Sequence, residues 1–232
     1  MAMKGPEPLC VEVFDRLDVE LEEGVLLRFL GYPEGAEARP VVAEGVARAL
    51  EETRGRLRPR GTYALYPVLA QTPRTLTLGP DAEFTGDIGG FLRAAGRVAV
   101  FVCTAGPEMM AMIDAAWDAG DALRGMILDA LGSMGADRAA EKLAERLRGK
   151  LGPGEALTPS YSPGYCGMDI EQQRLIFRLV DAGAVGVELL PSCLMKPLKS
   201  VSGLIGLGPA DEVVTVGSPC ELCPLENCRM RR

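Results

Sequence analysis

The sequence predicts an α+β fold, with strands and helices mixed but not in the regular βαβ alternation of a doubly wound sheet. Three observations carry this. A continuous apolar run, Val98 to Cys103, reads as a strand covered on both faces. The region from Glu108 to Leu151, rich in Ala, Leu, Met, Glu and Arg, reads as helix. The β-branched and aromatic runs "TYALYPVL" and "TLTLGP" follow one another directly, with no helix between them.

Taken in order, Val11 to Leu30 alternates weakly and ends in "LLRFLGYPEG", where Gly31 and Pro33 punctuate a short element. "PVVAEGVARALEETRGRL", from Pro40, has helical spacing with Val42, Val46 and Leu50 on one face. The two strands that follow are bounded by Pro73 and Pro80, and a short helix is expected from Ile88 to Ala95. The buried strand stops at Thr104-Ala105-Gly106, and Pro107 and Glu108 suit the first turn of a helix. Gly120, Gly125, Gly132 and Gly135 argue for two helices or a bent one before Leu151, with Met109, Met110 and Met112 packing. "PGEALTPSYSPGY" reads as a Pro/Gly/Ser loop. "DIEQQRLIFRLVDAG" reads as a helix capped by Asp169 and stopped at Gly183, and two more strands are expected before Pro209.

Composition narrows the function. At 47% hydrophobic and 25% charged residues the chain is an ordinary globular protein. No apolar run reaches the length of a membrane span and no signal-peptide pattern is seen, so a soluble cytoplasmic protein without a membrane partner is expected. A net charge of -7 argues against a nucleic-acid surface. The absence of histidine excludes Ser-His and Cys-His nucleophile pairs and mixed Cys/His zinc sites. Any metal is then held by thiolates or carboxylates. Of seven cysteines, Cys220, Cys223 and Cys228 crowd into a C-x2-C-x4-C run, while Cys10, Cys103, Cys166 and Cys193 are dispersed. Three thiolates this close repel one another unless a metal holds them. An iron–sulfur cluster, a zinc site and a redox thiol pair all answer to the spacing, and the first two want a fourth ligand.

"SPGYCGMDIEQQRLIFRLVD" followed by "LPSCLMKPLKSVSGLIGLG" resembles the reactivation (activation) domain of cobalamin-dependent methionine synthase. The shared features are the Pro163-Gly164-Tyr165 loop, the helix after it, and Ser200-Val201-Ser202-Gly203. "VAVFVCTAG" and "ADRAAEKLAERL" look like that family's strand and long helix, and "LLRFLGY" looks like its stand-alone members. The resemblance implies a twisted, mostly antiparallel sheet with long helices. It divides the chain into an N-terminal α/β portion (1–87), a reactivation-domain-like core (88–208) and a cysteine-bearing tail (209–232), folded as one compact domain.

The activity it implies is corrinoid repair: an electron and the methyl group of S-adenosylmethionine restore the methylated cofactor of a partner methyltransferase, with a ferredoxin or flavodoxin as electron donor. The cobalamin arrives on the partner, since no cobalamin-binding module is recognisable in this chain. Carried over by position, Tyr165 caps the corrinoid or stacks on substrate, and Ser162, Gly164 and Glu141 join it in S-adenosylmethionine binding. The family's loop arginine falls on Ser160, which lacks a guanidinium fork. The loop is also where the fourth ligand is best sought, at Cys166, beside Tyr165; this would set an iron–sulfur cluster near the cobalt. Cys193 is expected in the core, and Lys196 and Lys199 are expected to be exposed. The alternative is a non-catalytic corrinoid-protein docking module with a structural zinc site.

Overall fold

The computed structural model of the protein describes residues 6–165 and 167–215. Along the chain it forms β1 (Cys10–Phe14), α1 (Glu23–Phe29), α2 (Pro40–Thr53), β2 (Arg60–Pro67), β3 (Ala70–Thr72), β4 (Thr75–Gly79), β5 (Ala82–Thr85), α3 (Ile88–Phe91) and β6 (Arg97–Thr104). There follow α4 (Pro107–Asp118), α5 (Ala122–Leu147), β7 (Glu155–Tyr161), α6 (Gln173–Leu179), β8 (Glu188–Leu189), β9 (Met195–Lys196) and β10 (Ser200–Pro209).

Five strands make an antiparallel sheet in the order β1-β2-β6-β10-β7. The run that reads as doubly covered is β6 in its centre, and both its faces are buried. On one face Ala64, Tyr66, Val98, Val100, Val102 and Leu204 pack beneath the β3-β4-β5 meander, α3 and α6, with Phe84, Leu92 and Ile176 between. On the other, Tyr63, Phe101, Cys103, Ile205 and Leu207 meet Ala139, Leu143 and Leu147 of α5. Burying a side chain such as Phe101 contributes about 2 kcal/mol. The first half of α5 packs instead against α1, α2 and α4, around Leu26, Val46, Met109, Ile113, Ile127 and Leu131.

The glycine-rich helical region divides at Gly120, whose φ of +71° suits a residue without Cβ, and Asp121 caps the next helix by accepting from Arg124 N–H at 3.1 Å. The remaining glycines do not break α5. They let neighbours approach: a Cβ on Gly125 would fall 2.7 Å from the Trp117 ring, and one on Gly132 would fall 2.9 Å from Lys199 Cγ.

Three expectations are corrected. Residues 155–161 of the Pro/Gly/Ser segment are not loop but the edge strand β7, where Pro159 needs no inter-strand donor on its outer side. At the irregularity between Ile205 and Leu207 the Thr158 hydroxyl accepts from Gly206 N–H at 2.9 Å, standing in for a backbone partner. Asp169 caps a 3-10 turn that leads into α6 as expected, but α6 ends at Leu179, where Val180 turns extended, before Gly183 is reached. The last segment holds three strands, not two, because Glu188–Leu189 and Met195–Lys196 pair as a small hairpin ahead of β10.

Candidate functional site

The loop after β7 is built to present its tip. Gly164 has a φ of +89°, and its N–H donates to Met168 O at 2.8 Å, while Met168 N–H donates to Tyr165 O at 3.0 Å. Pro163 and Met168 are buried and anchor the turn. Behind it, Gly86 touches the loop so closely that a Cβ would fall 2.4 Å from Gly167 O. Anchored on both sides, the turn leaves the Tyr165 side chain 58% exposed.

This loop forms one wall of a cleft of about 380 Å³, whose other walls are α5 and the segment from Cys193 to Ser202. Tyr165, Ile170, Leu194 and Leu198 give it an apolar, solvent-exposed rim. Exposed large apolar side chains gathered around one cleft mark a surface made for a partner or ligand. The interior is polar. Lys199 Nζ donates to Ser133 Oγ at 2.9 Å and pairs with Asp129 Oδ1 at 2.8 Å, with its side chain only 11% exposed. The expectation that Lys199 is exposed is therefore corrected; Gly132 gives its stem room to lie along α5. Ser202, 2% exposed, borders the cleft from the edge of β10; its side chain is on the sheet face shared with Val102 and Leu204, and its buried hydroxyl has no hydrogen-bond partner among the described residues.

Of the residues singled out from sequence, Ser162 and Tyr165 line the cleft and Gly164 shapes the turn between them. Glu141 does not line it. It lies further along α5 in a pocket of about 40 Å³ with Val25, Arg28 and Phe29, and its carboxylate accepts from Arg138 at 2.6 Å. Asp137, one turn earlier, borders both pockets. Ser160 is exposed on β7 and outside the cleft lining. Cys166, Cys220, Cys223 and Cys228 lie outside the described residues. Among the described residues no group of three or more Cys, Asp or Glu side chains is placed to hold a metal ion.

Cys103 is buried beneath the sheet and Cys10 sits on the edge strand. Cys193 is buried yet borders the cleft, with a left-handed φ of +63°; its carbonyl accepts from Gln173 Nε2 at 3.3 Å. Burial pushes its thiol above the ordinary range, with the Arg174 charge pulling the other way. Sequence reasoning missed Ser133, Asp137, Gln173 and the buried role of Lys199. The visible signal was the Ser-Val-Ser-Gly run, which leads directly from Lys199 into the cleft wall.

A five-stranded antiparallel sheet, a long helix across it and a cleft with an apolar, exposed rim define a domain of the α+β class. The chain belongs to the family described as "Vitamin B12 dependent methionine synthase, activation domain", whose model matches residues 92–219. Its fold is also that of a solved structure titled "Crystal Structure of the MetH Reactivation Domain bound to AdoHcy": the TM-score is 0.62 at 20% identity, over 89% of this chain and 81% of that one. Curated proteins give no match. Among the described residues no helix is long and apolar enough to cross a membrane.

Proposed function

We propose that this protein reactivates the corrinoid of a partner methyltransferase, such as a methionine synthase lacking its own reactivation domain. The observation that supports this most is the cleft itself, with an exposed apolar rim at Tyr165, Ile170, Leu194 and Leu198 and polar walls at Ser133, Asp137 and Lys199. The rim suits the flat apolar face of a corrinoid carried by another protein. The interior suits S-adenosylmethionine, and the similar solved domain was crystallised with AdoHcy, the product of its demethylation. The substrate is the inactive Co(II) form. One electron and the methyl cation of S-adenosylmethionine convert it to the methylated corrinoid and release S-adenosylhomocysteine. In this reading Tyr165 covers the corrinoid face, Ser162 and Gly164 shape the S-adenosylmethionine wall, and the apolar rim excludes water from the methyl path.

The electron is proposed to come from a ferredoxin or flavodoxin through an iron–sulfur cluster on Cys220, Cys223 and Cys228, with Cys166 as fourth ligand. This part rests on spacing alone.

The test is anaerobic incubation of a Co(II) corrinoid methyltransferase with this protein, S-adenosylmethionine and a low-potential reductant, followed by absorbance. Loss of the Co(II) band with growth of the methylated species, dependent on this chain and reduced by Tyr165→Ala, is expected. No dependence on the chain would end this reading. Metal analysis of oxygen-free protein decides the cluster separately: iron and sulfide support it, and stoichiometric zinc would replace electron delivery with a structural, docking role.

A further inference from the structure

The two edges of the five-stranded sheet are treated differently. Edge strand β7 carries Pro159, which cannot donate to a further strand, and its register with β10 is interrupted. Edge strand β1, with the sequence CVEVF, has no proline or lysine and an unbroken register, and among the described residues it pairs with β2 alone. Its Cys10 and Phe14 pack on the α5 face with Tyr63 and Leu65. Val11 and Val13 lie on the other face, opposite Ala64 and Thr62; together with Leu9 just ahead they are 49%, 44% and 57% exposed. The solvated face of an antiparallel strand ordinarily carries polar residues. Three apolar side chains at alternate positions, beside backbone groups that no described strand pairs, form a template for another strand.

We infer that β1 pairs antiparallel with β1 of a second copy of this chain, about a two-fold axis through Val11. An axis perpendicular to the sheet keeps each side chain on its own face, so opposing positions must be both odd or both even in number. Centred on Val11, the register sets Leu9 against the partner's Val13, Val11 against the partner's Val11, and Val13 against the partner's Leu9. All three exposed apolar side chains are covered at once. On the α5 face Cys10 then meets the partner's Glu12. Centring on Glu12 instead sets two carboxylates directly opposite and leaves Leu9 against the partner's Asp15. Centring on Cys10 leaves Val13 against the partner's Glu7. The exposed set is symmetric about one residue, as a self-complementary interface requires. Strand pairing alone covers less than the roughly 1,200 Å² of a standard interface, so the dimer is concentration-dependent, with a Kd on the order of 10 μM. The cleft lies by the opposite edge, at the loop after β7, so both copies keep theirs open.

Sedimentation velocity of the full chain from about 1 to 200 μM tests this. The sedimentation coefficient is expected to rise from monomer to dimer across that range. Val11→Lys, which sets two ammonium groups face to face, is expected to hold the chain monomeric throughout. Mild oxidation reads the register. Val11→Cys is expected to give a disulfide-linked dimer on a non-reducing gel, in excess of the wild-type chain treated alike, whereas Val13→Cys is not, because it faces the partner's Leu9. A chain that stays monomeric at the highest concentration overturns the inference, and hydrogen-exchange protection of residues 10–14 in that monomer would assign the edge to another segment of the same chain. A dimer that survives Val11→Lys, or that crosslinks in Val13→Cys but not in Val11→Cys, overturns it as well. Should Val11→Lys not fold, the two crosslinking variants decide alone.

Discussion

Helix α5 carries two ionic clusters a few turns apart, and they are built to different ends. At Lys199 a nearly buried ammonium from the segment ahead of β10 reaches Ser133 and Asp129 on the wall of an open cleft. At Arg138 a guanidinium is shared between Glu141 on the same helix and Glu22 ahead of α1, with side chains 46% and 60% exposed around a pocket of only about 40 Å³. The second cluster fastens a helix entry to the surface of α5, and pairs of that kind contribute little. The first is the more sheltered, with the Lys199 side chain 11% exposed against 26% for Arg138, so burial rather than charge separates the two.

The sharpest way to break the contrast is at Gly132. A Cβ there would fall 2.9 Å from Lys199 Cγ and 3.0 Å from Met109 Cγ. Gly132→Val is expected to lower unfolding free energy by about 3 kcal/mol, read from a denaturant midpoint with unchanged slope. A midpoint equal to wild type would mean that the stem of Lys199 is not held against α5. Ser202→Ala removes the unpaired hydroxyl, so the protein is expected to gain about 1 kcal/mol, read from the same denaturant midpoint. Loss of stability instead would show that the hydroxyl has a partner within the fold.

A third ion pair, at the start of α5, sharpens the comparison through pH. The hydrogen bond from Arg124 holds the Glu52 carboxyl below its ordinary 4.5, against the opposing effect of burial. A depressed carboxyl stabilises the fold above its unfolded value and loses that contribution as pH falls through the lowered one. Glu52→Gln is therefore expected to cost at most about 1 kcal/mol at neutral pH and nothing once wild-type Glu52 is itself protonated, in unfolding curves taken across the acid limb. The smallest effect belongs to Glu141→Gln, within about 0.5 kcal/mol and without change in S-adenosylhomocysteine affinity. A tenfold loss of affinity there would show that Glu141 reaches the ligand after all.

Much of the fold was legible because its strongest signals are local. Val98 to Cys103 had no polar residue to place in water, Gly120 had to end a helix, and Pro40 had to begin one. What escaped depended on distant partners. Residues 155–161 hold prolines and serines that favour loops, and become a strand only because β10 offers an edge to pair with. The cleft was half legible. Ser162 and Tyr165 came from the family resemblance of the Pro163-Gly164-Tyr165 loop, but Lys199 was read as exposed, since nothing nearby in sequence reveals Ser133, Asp129 and the gap at Gly132. Glu141 shows the matching difficulty: a glutamate at helical spacing looks alike whether it borders the larger cleft or pairs with an arginine on the same helix.

Strand β10 is also a ruler. It runs from the cleft at Ser202 to Gly208, where Val213 folds back against the chain, and at about 3.3 Å per residue those points stand roughly 20 Å apart. All eight positions from Ser200 to Leu207 pair in register with β6, so a slip of one residue would carry Ser202 and Leu204 together to the opposite face of the sheet.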